Sequence, residues 1–345
     1  MKTRITELFR IRYPILLSGM SWISIPKMVA AVSNAGGLGI LATGPLSKEQ
    51  TREAIHEVRE MTDKPFGANA SLMLSSAIEN AKVLLDAKVP IINFSLGKGD
   101  WLVKRAHEYG GKVIATVVNP RHARRAQEYG CDAVIATGHE AAAHGEDLTT
   151  FTLVPALASE LRIPVIAAGG IGDGRGLMSA LALGAEGVAM GTRFMTTKES
   201  PLHEVYKKLS IEKEVTDTLY SERFDGMLCR VMKTEGAVQA MKKGLSIYKS
   251  FFNAREISRQ MDVPFGELFL EVMTSGWKNI RTMAFRANAF NALCVATRTG
   301  DTVEGYLPVG QVTGLVHDEP TVAELVERIV SEAREVQQTL ADKMS

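Results

Sequence analysis

The stretch Pro164-Val165-Ile166-Ala167-Ala168-Gly169-Gly170-Ile171, taken with Gly187-Val188-Ala189-Met190-Gly191-Thr192-Arg193-Phe194, decides how this chain of 345 residues reads. Each half is a short apolar run that breaks into small residues, the pattern of a buried parallel strand and its turn. Between them, Leu177 to Leu183 is rich in Leu and Ala and stops at Gly184, which reads as a helix. Two parallel strands that both end in glycine can set several bare backbone N–H groups around one small anion. In a (β/α)8 barrel such a site sits at the loops after strands seven and eight, so six strands should precede this pair.

Six candidates do precede it. Short apolar runs occur at Tyr13 to Leu17, Leu38 to Leu41, Pro65 to Ala70, Ile91 to Phe94, Lys112 to Val118 and Ala133 to Ala136. Helical segments separate most of them, with Pro26 at one helix start, Ser47 as an N-cap, and Gly36, Gly110 and Gly130 at stops. Eight strands alternating with helices give an α/β fold, and the count favours a closed (β/α)8 TIM barrel. From Pro201 to Gly305 the pattern changes to helical segments, among them 235–259 and 267–291, with no strand signal. The expected organisation is a barrel formed by 1–200 and 306–345, with a helical insertion after strand eight, 201–305, covering its mouth. Val309 to Val316 reads as a small-residue loop. Thr321 to Leu340 reads as an amphipathic helix, opened by a Thr321/Glu324 capping box, with Val322, Leu325, Val326, Ile329, Val330 and Val336 on one face.

Composition narrows the function classes. Apolar residues make up 46% and charged residues 23%, ordinary for a globular protein, and the net charge of +1 gives no field for nucleic acid. Cys131, Cys229 and Cys294 are widely spaced, which suggests neither a metal site nor a disulfide framework and suits a reducing compartment. No apolar run approaches the roughly 20 residues of a membrane span, and Met1 to Arg12 lacks a signal-type core. A cytoplasmic enzyme is expected. The oligomeric state stays open, a homodimer included.

Three loops carry chemistry. Ser18-Gly19-Met20, after strand one, lets backbone approach a flat ligand. Thr137 to Asp147, after strand six, holds His139, His144 and three carboxylates. The loops after strands seven and eight form the phosphate cradle. Gly172, Gly174 and Gly176 do not complete a G-x-G-x-x-G, so a Rossmann fingerprint is absent. On the strand pattern alone, a barrel that binds a phosphorylated metabolite without redox chemistry remains open.

The chain resembles the nitronate monooxygenase family of FMN-dependent barrels, formerly called 2-nitropropane dioxygenases. That superfamily also holds flavin-dependent enoyl-ACP reductases and NADH:quinone reductases. The likeness runs through Arg4-Ile5-Thr6-Glu7-Leu8, Tyr13-Pro14-Ile15, Ala35-Gly36-Gly37-Leu38-Gly39, Lys64-Pro65-Phe66-Gly67 and Asp132-Ala133-Val134. It continues in Glu140-Ala141 with His144, Ala167-Ala168-Gly169-Gly170-Ile171, Gly191-Thr192-Arg193-Phe194 and Gly310-Gln311 with Gly314-Leu315. The resemblance implies an FMN with its phosphate on Ala168, Gly169, Gly170, Gly191 and Thr192. It sets Ser18, Gly19 and Met20 along the isoalloxazine, with Asn69, Ser71 and Ala142 nearby and Gln311 closing the pocket. Thr116 stands where some relatives carry a lysine.

His144 is the catalytic residue that the resemblance implies, facing the reactive side of the flavin, and imidazole suits proton chemistry near neutrality. Two departures touch that face. Ala142-Ala143 replaces the Gly-Gly usual before this histidine, and Leu17-Ser18-Gly19-Met20 stands where relatives often have Gln-Gly-Gly-Met. The leading expectation is oxidation of an alkyl nitronate by O2 to a carbonyl compound and nitrite, without NAD(P)H. The alternative is an NAD(P)H-dependent reductase of enoyl thioesters, enones or quinones. An acyl carrier protein would then be a partner, docked at Lys207-Lys208 or Lys242-Lys243, pairs otherwise expected to be solvated helix faces.

Overall fold

The fold was established from a computed structural model, which describes all residues except 74, 143, 261–264, 267–269 and 271–276. Eight parallel strands, β1 (Ile15–Leu17), β2 (Ile40–Ala42), β3 (Gly67–Ser71), β4 (Ile91–Ser95), β5 (Lys112–Val117), β6 (Ala133–Thr137), β7 (Val165–Ala168) and β8 (Gly187–Met190), lie in the order β1-β8-β7-β6-β5-β4-β3-β2. The two ends of that order meet. Leu16 bridges Leu38, with the Leu17 N–H on Leu38 O and the Leu38 N–H on Ile15 O, both at 2.9 Å. The sheet is therefore a (β/α)8 barrel, as the strand count implied.

Side-chain alternation splits the core in two. Leu16, Leu38, Ile40, Ile91, Ile114, Ile135 and Ile166 share one buried cluster inside the barrel, and Ile5 and Phe9 of the first helix, Arg4–Phe9, plug it from below. Their strand neighbours, such as Leu17, Leu41, Ile92, Val113 and Val134, form the outer layer against the helices. The last helix, Val322–Met344, joins this layer through Val322, Leu325, Val326, Ile329 and Val330, and its Thr321/Glu324 capping box forms. Ala333 completes the buried face, while Val336 is only half-buried.

Close backbone approach explains the run Gly36-Gly37-Leu38-Gly39. A Cβ on Gly39 would overlap the Val29 carbonyl oxygen and lie 2.6 Å from Val29 Cα, so the helix Pro26–Asn34 rests directly on the entry to β2.

Residues 201–305 hold helices, among them Glu204–Glu212, Glu235–Lys243, Ile247–Gln260 and Trp277–Thr299. They also hold an antiparallel hairpin, β9 (Thr218–Ser221) and β10 (Cys229–Met232), paired Ser221 to Cys229 and Thr218 to Met232. This corrects the expectation of a strand-free insertion. All four residues of β10 are buried and all four of β9 are half-buried, so neither strand shows the alternation by which a short strand is recognised. The helical reading of 235–259 divides at Gly244, whose φ is +68°. Of the reading over 267–291, the part from Trp277 on is helical, and most of 267–276 lies outside the described residues. The expected loop at 309–316 contains a short 3-10 helix, Gln311–Leu315.

One apolar cluster fastens this region to the barrel mouth, joining Ile23 and Met195 to Tyr206, Met232, Ala296 and Leu307. A second packs the region on itself, joining Phe224, Cys229 and Val231 to Ala292 and Tyr306. Lys207 departs from the expected solvated face. It is 2% exposed and pairs with Glu319 at 2.8 Å. Cys131 is packed, and burial pushes its thiol up to about 12. Among the described residues no helix is long and apolar enough to cross a membrane. Gly39→Ala is expected to lower unfolding stability by about 1–3 kcal/mol or more through overpacking, read as a lower urea midpoint at unchanged slope.

Candidate active site

The inward face of the barrel changes chemistry near the carboxyl ends of its strands. Ile91, Ile114 and Ile135 lie below Asn93, Thr116 and Thr137, two residues further along β4, β5 and β6. Asn69 on β3 donates from Nδ2 to Asn93 Oδ1 at 2.7 Å, and Asn93 Nδ2 donates to Thr116 Oγ1 at 3.0 Å. Asn69 and Asn93 are register partners, so the ladder itself aligns this chain of side chains. The result is a polar floor under a cavity of about 1530 Å³, which Ser18, Asn69, Asn93, Thr116, Thr137 and Ala168 help to line. Ligands in this fold bind at that end of the strands.

The expected cradle lies on one side of the floor. Gly169 and Gly170 follow β7 with φ of +107° and +74°, a region open to glycine and costly for other residues. A Cβ on Gly169 would lie 2.9 Å from Thr150 Oγ1 and 3.1 Å from the Ala141 nitrogen. Gly191 precedes the short helix Thr192–Met195, and a Cβ there would approach Met20 Sδ to 3.3 Å. The next helix, Gly174–Ala182, does not offer its amino end: Asp173 caps Gly176 N–H at 2.9 Å and Glu332 takes Gly174 N–H at 2.8 Å. The cradle is thus made by loop backbone. Glu140 braces it, accepting the Thr150 N–H at 2.9 Å and its hydroxyl at 3.0 Å, while its carbonyl takes the Gln311 N–H at 2.9 Å.

His144, in the loop after β6, lines the same cavity. Its Nε2 bonds Asp225 Oδ2, and its side chain is 34% exposed. Asp225 Oδ1 accepts the Met227 N–H at 3.1 Å. The β9–β10 hairpin holds the same loop at two more points. Tyr220 donates its hydroxyl to Gly145 O at 2.6 Å, and Arg230 donates to His139 O at 3.1 and 3.2 Å. Arg230 also lies over the Tyr220 ring, and the His139 ring meets that ring edge-on. Cys229 lies within 4.8 Å of the His144 and Asp225 ligand atoms. Burial raises its thiol well above the usual range.

Of the residues expected around a cofactor, Ser18, Gly19, Met20, Asn69, Ser71, Thr116, Ala142, Ala168, Gly169, Gly170, Gly191 and Thr192 line this one cavity, as does His144. Gln311 does not, although its neighbours Gly310 and Val312 do. Ala143 lies outside the described residues. Sequence reasoning missed Asn93, Asp225 and Arg286. Asn93 interrupts an aliphatic strand at an inward position, which is a readable signal. Arg286 sits among Met283, Ala287 and Phe290, a cation on an apolar helical face, which is another. Asp225 lies in an irregular hairpin loop and carries no such mark.

A polar barrel floor, glycine turns after β7 and β8 and a histidine, all lining one cavity, suit a flavin, which needs a phosphate site, room for a flat ring and a reacting face. The cavity exceeds the usual 300–1,000 Å³ of a single-ligand pocket, leaving room for a second molecule. Such a barrel is a flavin-dependent oxidoreductase. The chain belongs to the nitronate monooxygenase family, whose model matches residues 2–84 and 75–332. It is 34% identical over 338 residues to the (3aS,4S,5R,7aS)-5-hydroxy-7a-methyl-1-oxo-octahydro-1H-indene-4-carboxyl-CoA dehydrogenase of Rhodococcus jostii, 96% of each chain. A probable nitronate monooxygenase of Staphylococcus aureus is 34% identical over 275 residues, 66% of this chain and 78% of its own. The solved structure of FabK from Thermotoga maritima superposes with a TM-score of 0.84 at 36% identity, covering 99% of both chains.

Because Asp225 orients the imidazole, Asp225→Asn is expected to leave flavin content unchanged and to lower turnover at least about tenfold. Flavin absorbance per chain and steady-state kcat measure the two effects separately.

Proposed function

We propose that the protein is an FMN-dependent nitronate monooxygenase that oxidises an alkyl nitronate with O2 to a carbonyl compound and nitrite. The observation that carries this reading is His144, held by Asp225, in one cavity with the glycine turns after β7 and β8. The backbone of Ala168, Gly169, Gly170, Gly191 and Thr192 would hold the phosphate. Ser18, Gly19 and Met20 would lie along the ring system, with Asn69, Ser71, Thr116 and Ala142 around it. Gln311 would act from behind, through its bond to Glu140 O. When bound, the flavin supplies the electron-accepting centre of the reaction. The chain's own part is positioning and proton handling. With Asp225 accepting from Nε2, Nδ1 of His144 is the nitrogen turned to substrate. There it takes the α-proton of a nitroalkane or, once protonated, donates to a nitronate oxygen. The Asp225 carboxylate compensates the positive ring. Residues 201–305 form the lid that keeps bulk water from this exchange. Three cysteines without disulfides suit a cytoplasmic location.

A second reading has its own support. The size of the cavity, and likeness to FabK and to a carboxyl-CoA dehydrogenase over nearly the whole chain, favour a bulky acyl thioester oxidised or reduced with NAD(P)H. In that case the exposed pair Lys242-Lys243 is the dock for an acyl carrier protein, since Lys207 is buried in an ion pair.

Anaerobic mixing of the flavin-loaded protein with NADH, NADPH or propyl-2-nitronate decides between them. Loss of the long-wavelength flavin absorbance with nitronate but with neither nucleotide supports the monooxygenase. Fast, saturable bleaching by a nucleotide, with none by nitronate, contradicts it in favour of the reductase. On either substrate, His144→Ala is expected to cost about 10²–10⁴ in turnover with flavin retained.

A further inference from the structure

Arg286 is a half-buried cation that makes no ion pair among the described residues. It lies on the helix Trp277–Thr299 in the wall of the cavity, between Met283 and Phe290. Its Nη1 meets Met73 Sδ, and its Nη2 meets Met227 Sδ at 3.1 Å. Thioether sulfur is a weak acceptor. Its Nε is buried and has no hydrogen-bond partner among the described residues. Asp225 is the carboxylate whose charge reaches it, yet both oxygens of Asp225 are taken, one by His144 and one by the Met227 N–H. Burial lowers the guanidinium below its ordinary range, and the group still stays protonated at any working pH. A guanidinium partly withdrawn from water without an anion is unfavourable, and a planar, two-oxygen anion is its best geometric complement.

We propose that Arg286 is the specificity residue of this site and binds an anionic oxygen of a substrate whose remainder is apolar. The apolar part would pack on Met283, Ala287, Phe290 and Leu293, which line the same wall. Arg286 and the His144–Asp225 pair share the Asp225–Met227 segment, so the anionic oxygen is held beside the histidine. The inference rests on the oxidoreductase reading of the cavity. Two sources share this chemistry: a nitronate, with two oxygens on nitrogen, and a carboxylate at the end of an acyl chain.

The test uses the flavin-loaded protein with Arg286→Met and Arg286→Lys. Hexanoate and its neutral counterpart hexanamide are titrated by their perturbation of the flavin spectrum, and KM is measured for propyl-1-nitronate. Arg286→Met is expected to weaken hexanoate binding ten- to a hundredfold and to raise nitronate KM similarly, with hexanamide affinity and flavin content unchanged. Arg286→Lys should restore part of the anion affinity. Without ligand, Arg286→Met should also melt about 2 °C higher, because a partly buried charge without an anion has gone. A larger loss with nitronate names that source, and a larger loss with hexanoate names the acyl source. Equal weakening of hexanoate and hexanamide overturns the proposal. So does a loss of flavin, a lower melting temperature, or an unsubstituted protein that binds hexanoate no better than hexanamide. Failure of nitronate turnover would count against the monooxygenase reading alone, since the two titrations do not depend on it.

Discussion

The structure turns on how the loop after β6 is held. That loop carries Glu140 and His144 on opposite duties. Glu140 looks back to the cradle, tying the loop to Thr150 and, through its carbonyl, to the chain returning at Gln311. His144 looks forward to the lid and is fixed by Asp225. Between them, Tyr220 and Arg230 of the hairpin take the carbonyls of Gly145 and His139. A loop rich in Ala and Gly has little side-chain packing of its own, so hydrogen bonds set its conformation, some within it, such as the His139 N–H on Leu148 O at 2.8 Å, and the rest from outside. Without them the histidine would have no defined position relative to the barrel floor.

The barrel contributes the other fixed surface. A parallel sheet buried on both faces is aliphatic by default. Here the default holds for the lower layer and is abandoned above it, where Asn69, Asn93 and Thr116 bond one another across three strands. Buried amides are tolerated because they satisfy each other, and the network stiffens the floor on which a ligand rests. The lid side follows a different rule. Its wall is mostly apolar, but Glu222, Asp225 and Ser250 line it beside Arg286, whose guanidinium the surrounding methionines do not satisfy. A satisfied floor facing an unsatisfied cation implies that the missing partner arrives with the ligand.

The barrel was legible in the sequence because its signals are local. Short apolar strands, glycine stops and a capping box at Thr321 each act within a few residues, and their repetition gives the topology. The glycine turn after β7 was legible for the same reason, since positive φ at Gly169 and Gly170 favours glycine. The partners of His144 were not. Asp225 lies 81 positions away in sequence, in a hairpin whose strands are too short and too evenly buried to show a period. A resemblance carried the histidine itself, but nothing in residues 201–305 marked which of their side chains would face it. The expected role of Lys207 as a surface charge failed likewise, because its pairing with Glu319 depends on the chain's return after the insertion.

The central claim is that the hairpin, not the loop itself, fixes His144. Hydrogen exchange followed by mass spectrometry across 138–149 tests it most directly, comparing the flavin-loaded protein with a Tyr220→Phe, Arg230→Met variant. The account predicts faster exchange confined to 138–149 and the hairpin, with β1 to β8 still protected. Unchanged protection of 138–149 in that variant would contradict it and would mean that the loop is ordered by the barrel alone.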